Sequence, residues 1–223
     1  MLKSRLLTYL VVICMALCFT SCINIIEKLK LNKNGSGTYA MTIDMGRLAG
    51  MMKMMGQDGE GMDELMHSAD STFQANRSKL ESLEGISNVQ FLANKHNLNF
   101  IISYDFENLD ALNQAIWAYN SERKDTKYVD FFSFDKKVFS RANQDILTET
   151  LTGAMAEDGE LEIDPALIFG DMSYQLEIEF ARKIKNVSNE DYEQLNKNTL
   201  KWKKYVFDKR DEDKTIGVEV RLK

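Results

Sequence analysis

Leu29-Lys30-Leu31-Asn32-Lys33-Asn34-Gly35-Ser36-Gly37-Thr38-Tyr39 is the stretch that decides the fold class. Two β-favouring runs flank Asn and Gly residues that tolerate positive φ, so the segment predicts a hairpin. On the outgoing strand Tyr39, Met41, Ile43 and Met45 alternate with Ala40, Thr42 and Asp44, which turns one face toward a core. The period then changes. Leu48, Met51, Met52 and Met55 fall at i, i+3, i+4 and i+7, one face of a short helix. After the break at 56–61, Met62, Leu65, Met66, Ala69, Phe73, Asn76, Leu80 and Leu83 trace a longer helical stripe with one polar interruption, and Gly85 is placed to end it.

Strand patterning returns at Val89 and Phe91, turns through 94–97, and alternates through Leu98, Phe100, Ile102, Tyr104 and Phe106. Asn108 can cap a helix whose Leu109, Leu112, Ile116 and Tyr119 share a face. A charged loop at 121–126 leads to an aromatic strand at 128–134 and a helix at 145–155. An acidic loop covers 157–165, and three strands close the chain at about 173–182, 199–207 and 215–223. Strand pairs separated by helices with short links predict an α+β fold, an antiparallel sheet with helices packed on one face. No composition break or repeat divides residues 22–223, so they read as a single domain.

Upstream of the hairpin, Lys3 and Arg5 precede an apolar run from Leu6 to Leu17, which is shorter than the ~20 residues that span a bilayer. Leu17-Cys18-Phe19-Thr20-Ser21-Cys22 resembles a bacterial lipobox, with Phe19 where Leu is usual. Residues 1–21 then form a lipoprotein signal peptide, and Cys22 becomes the acylated N-terminus. An uncleaved membrane helix is the competing reading. Cys14 and Cys18 leave with the signal, so the exported domain carries no disulfide. It is long enough to fold by apolar burial alone. Two or more acyl chains give stable anchoring where one does not. By resemblance to Gram-negative sorting rules, the absence of Asp beside Cys22 and of an acidic run after it implies the periplasmic leaflet of the outer membrane.

An acylated cysteine, a strand, an Asn-Gly-Ser-Gly-Thr turn at 34–38 and an outgoing strand are together similar to uncharacterised lipoproteins of Bacteroidota. More distantly, they resemble the LppM-type lipoprotein domain of actinobacteria. The resemblance covers the first forty-odd residues and, weakly, the C-terminal strands. It implies an envelope α+β domain with a capacity to bind lipid, and it brings no catalytic residues. Asp70-Ser71-Thr72 matches the pattern at which Bacteroidota O-glycosylate exported proteins, which would make Ser71 the acceptor.

The chain carries 28 Lys and Arg against 34 Asp and Glu; without Lys3 and Arg5 the count is 26 against 34, a net charge of −8. Such a domain repels nucleic acid and anionic lipid headgroups at long range. His67 and His96 are its two histidines, too few for a zinc site without thiolates. No nucleophile elbow or phosphate-cradling loop occurs. Carboxylates are plentiful, but nothing in their spacing selects a catalytic pair, so a carboxylate-dependent hydrolase is a minor alternative.

Methionine is the unusual component. Eight of the twelve lie between Met41 and Met66. The helical spacing favours an ordinary buried face. An adaptable apolar wall built from Met51, Met52, Met54, Met55, Met62 and Met66 is the leading functional alternative, and Cu(I) held by thioethers is a remoter one. Met54 falls off the buried face. The expectation is a non-catalytic, lipid-anchored binding module for an apolar ligand or protein partner near the membrane. A structural subunit of an envelope complex is the runner-up.

Overall fold

The computed structural model describes residues 23–54, 56, 60–120, 128–144 and 170–223. Cys22 and the signal segment, Met55, the loop at 121–126, the helix expected at 145–155 and the acidic loop at 157–165 lie outside the described residues.

The hairpin forms as read. β1 (Asn24–Leu31) pairs antiparallel with β2 (Gly37–Asp44), Leu31 opposite Gly37 and Asn24 opposite Asp44. The turn closes through the Asn32 N–H to the Ser36 carbonyl at 2.8 Å, with Gly35 at φ +89°. Asn34 Oδ1 accepts from the Ser36 N–H at 3.3 Å and from its hydroxyl at 2.9 Å. Side-chain oxygens thereby satisfy backbone groups that a tight turn leaves over.

α1 (Gly46–Met54) and α2 (Glu60–Glu81) follow, then the hairpin β3 (Ile86–Asn94) and β4 (Asn99–Phe106), then α3 (Leu109–Asn120). Asn108 caps α3 as expected: its Oδ1 accepts from the Ala111 N–H at 2.9 Å. Two short strands, β5 (Phe132–Asp135) and β6 (Val138–Arg141), precede β7 (Ser173–Phe180). β8 (Ile184–Val187), β9 (Tyr192–Gln194), β10 (Thr199–Tyr205) and β11 (Val218–Leu222) complete the chain, with a 3₁₀ turn at Lys209–Asp211.

The α+β class is as expected, with a finer organisation. One sheet of seven strands runs β3-β4-β2-β1-β7-β10-β9, and a second runs β5-β6-β11-β8. All pairs are antiparallel except β1 and β7, which run parallel, Asn24 beside Ser173 and Leu31 beside Phe180. Strands β6, β8 and β9 have three or four residues, too short for their alternation to stand out in sequence. The aromatic run expected at 128–134 begins pairing only at Phe132. Asn113 of α3 explains that start, since its amide donates to the Phe132 carbonyl and accepts from the Phe132 N–H, at 2.8 and 2.9 Å.

The large sheet has one wet face and one dry face. Lys28, Lys30, Thr38 and Glu179 are exposed, while Leu29, Leu31, Tyr39, Ile178 and Phe180 are buried. On the dry side Phe73 of α2 stacks on Phe91 of β3 at 3.9 Å between ring centroids, and Phe139 of the small sheet meets Phe180 edge-on at 5.2 Å. Ile216, Val218, Val220 and Leu222 are all buried, as the alternation at the C-terminus requires.

Candidate functional site

One rim of the large sheet gathers five strand ends. Asn24 opens β1, Asp44 ends β2 opposite it, and Asn99 opens β4 opposite Asp44; Ser173 opens β7 on the other side of Asn24, and Tyr205 ends β10 opposite Ser173. Ser173 Oγ donates to Asn24 Oδ1 at 2.8 Å, and the Gly46 N–H donates to Asp44 Oδ1 at 2.9 Å, which starts α1 directly from the strand.

A polar cleft of about 500 Å³ opens here, with Arg47, Asp171, Lys203, Tyr205, Asp208 and Arg210 around Asn24. Arg47 faces Asp171 at 3.9 Å. Lys203 Nζ sits 4.4 Å from the Tyr205 ring centroid and donates to its hydroxyl at 3.1 Å. Asp208 accepts from the Arg210 backbone N–H and forks its guanidinium, and these bonds hold its carboxyl down at about 2. Burial pushes Asp211 the other way. The Tyr205 N–H and Lys214 ammonium that bond it prevail and leave its carboxyl below the usual range.

α1 projects from the same rim. Met54 is 80 % exposed, and neighbouring Lys53 donates to the His96 carbonyl at 2.9 Å. Met66 is half-buried against a small core of Ala49, Leu98 and Phe100. The side chains of Met51, Met52 and Met62, and all of Met55, lie outside the described residues. Of the six methionines, then, one faces solvent and one packs inward. His67 and His96 are exposed, and Ser71 is exposed within α2. Among the described residues no group of three or more His, Cys, Asp or Glu side chains could hold a metal ion.

Deeper in the sheet is a polar cluster that sequence reasoning missed. Glu27 occupies the inward frame of β1 with Ile25, Leu29 and Leu31 and is only 5 % exposed. Tyr39 donates to its Oε1 at 2.6 Å and Tyr174 to its Oε2 at 2.8 Å. Tyr39 stacks on Tyr104 at 5.2 Å, and Tyr174 meets Trp202 edge-on at 5.4 Å. Burial first, and the Glu27 charge second, push the Tyr39 hydroxyl well above its usual value. Burial also raises Tyr192, whose hydroxyl donates to the Ile216 carbonyl. Buried Arg141 lies over Phe132 at 5.0 Å, and its Nε, like Trp202 Nε1, has no hydrogen-bond partner among the described residues. The available signal was a carboxylate in the apolar frame of an alternating strand, Ile25-x-Glu27-x-Leu29-x-Leu31.

No protein-family model matches the chain. No curated protein matches it. Among solved structures, the NMR structure of the folded domain of LppM from Mycobacterium tuberculosis is similar over 91 % of this chain and 90 % of that one, at 7 % identity and a TM-score of 0.45. A likeness at that level transfers neither site nor activity.

Proposed function

We propose that this chain is a lipid-anchored protein of the bacterial envelope that binds an apolar ligand or a protein partner at the membrane surface. Cys22 carries the acyl chains once residues 1–21 are removed. The observation that carries the reading is the short tether. Cys22 and Asn24 are two residues apart, at most about 7 Å of chain, so the whole sheet rim is held against the lipid. That rim combines an exposed methionine, Met54, with Tyr205, Lys203, Arg47 and Arg210. Thioether and phenol suit the acyl–headgroup boundary, while guanidinium and ammonium groups suit headgroup phosphates. The rim, with its cleft and with α1 projecting from it, is the contact surface for the ligand or partner, and the periplasmic leaflet of the outer membrane is its location. No helix among the described residues is long and apolar enough to cross a membrane.

Two measurements test it. Intact-mass analysis of membrane-extracted protein should show a chain beginning at acylated Cys22, and Cys22→Ser should release the protein from the membrane fraction. A photo-crosslinking residue at position 54 should capture lipid or a membrane-associated protein in intact cells. An unmodified Cys22 with residues 1–21 still attached would end the anchoring reading. Capture at an outer-face position such as 179 with none at 54 would end the choice of surface.

A further inference from the structure

The opposite pole of the molecule carries a second cleft, of about 720 Å³, at the end of the four-stranded sheet. Its rim is cationic: Lys136 and Lys137 from the β5–β6 turn, Lys185 from β8, and Arg221 and Lys223 at the end of β11. All five are exposed, and Leu222 between the last two is buried beneath them. Asp135 is the one carboxylate side chain in the lining. Among the described residues none of the five cations is in an ion pair. In a domain of net charge −8, five unneutralised cations around one concavity concentrate a positive potential.

The backbone adds an independent observation. Lys136 sits at φ +55°, the left-handed region that Asn or Gly adopts readily in a hairpin turn. The turn is fixed there by the Arg182 guanidinium, which donates to the Lys136 carbonyl at 2.9 Å, and by the Leu222 N–H, which donates to the Lys137 carbonyl at 2.8 Å. A lysine at that position presents charge to the cleft against its own backbone preference.

Placement selects the occupant. β1 runs eight residues from Asn24 to Leu31, about 26 Å, and the cleft lies beyond that far end, where Ala181 bonds Leu31 and Lys223 bonds Lys183. If Cys22 is tethered to lipid, the cleft faces away from that lipid; this step rests on the anchoring reading, whereas the cleft's affinity for anions does not. β8 is an edge strand of its sheet. Lys185 on it blunts pairing with a second copy and favours an extended segment that carries carboxylates. We propose that this distal cleft docks an acidic segment of a partner protein.

The test uses the full chain reconstituted through its own anchor into phosphatidylcholine vesicles, with vesicle flotation scored first. Fluorescein-labelled decaglutamate is then titrated and followed by anisotropy. Binding should weaken as salt rises from about 50 to about 300 mM. Lys185→Glu combined with Arg221→Glu should weaken it roughly tenfold. Lys136→Asn should weaken binding while raising the melting temperature, a pair of opposite signs that a purely structural turn would not give. Absent binding, or binding unchanged in these variants, overturns the proposal. So does clustering of added phosphatidylglycerol vesicles that is lost in the same variants, because the ligand is then anionic lipid. Failure to float would count against the anchor alone, and decaglutamate titration of the unattached full chain would still decide the cleft.

Discussion

Replacing Tyr39 or Tyr174 by Phe removes a single hydroxyl from around Glu27 and nothing else. Each phenylalanine keeps the ring contact, Tyr39 with Tyr104 and Tyr174 with Trp202. The lost bonds, of 2.6 and 2.8 Å, run to a carboxylate that is 5 % exposed, so water cannot replace the donor without entering the core. A hydrogen bond to a charged group is worth about 1.5–3 kcal/mol. In a domain of this size each kcal/mol moves the melting temperature by about 2–4 °C. Each single variant should therefore melt roughly 3–12 °C below the parent. The double variant should lose more than the sum, because each single variant leaves Glu27 one donor and the double leaves it neither tyrosine. Adding Glu27→Leu to the double variant should restore much of the loss, since no buried carboxylate is then stranded. Differential scanning calorimetry of the parent and the four variants checks this. Single variants within 1 °C of the parent, or a triple variant as unstable as the double, would refute the reasoning.

Burial raises Tyr39 and Tyr192, so the folded state holds phenolic protons that the unfolded chain releases near pH 10. The stability these protons confer is complete below that pH and declines above it, by up to about 1.4 kcal/mol per pH unit per phenol. Urea titrations at rising alkaline pH should show the decline, and Tyr39→Phe should make it shallower. In the hairpin, a Cβ on Gly37 would stand 1.9 Å from the Lys30 carbonyl oxygen and 2.6 Å from Phe106 Cζ, whereas one on Gly35 would meet nothing within 4 Å. Gly37→Ala should cost about 3 kcal/mol or more, and Gly35→Ala only the left-handed penalty of about 1–2 kcal/mol. Urea midpoints that rank the two substitutions the other way would contradict the close approach of β1, β2 and β4.

What could be read without coordinates was local. Alternation from Leu98, the Asn-Gly turn, the Asn108 cap and the Phe73–Leu80 stripe each depend on neighbours a few residues away, and each is found in the structure, whereas on β2 Tyr39 is buried and residues 40–45 are all half-buried. The lipobox is read from residues 1–22, which lie outside the described residues. The parallel pairing of β1 with β7 joins residues about 150 apart, and no local pattern encodes a partner at that distance. The same pairing brings Tyr174 to Glu27 and Ser173 to Asn24, so both the buried carboxylate cluster and the polar rim cleft exist only once that strand is in place. The basic pole likewise gathers residues from three separated segments, each of which reads alone as an ordinary solvated turn or strand end. Local sequence determined the longer strands and helices among the described residues and most of their dry faces, but not the short strands β8 and β9 or the buried Glu27. Long-range pairing decided which charges meet, because Coulomb and hydrogen-bond energies depend on distances in space that sequence separation does not carry.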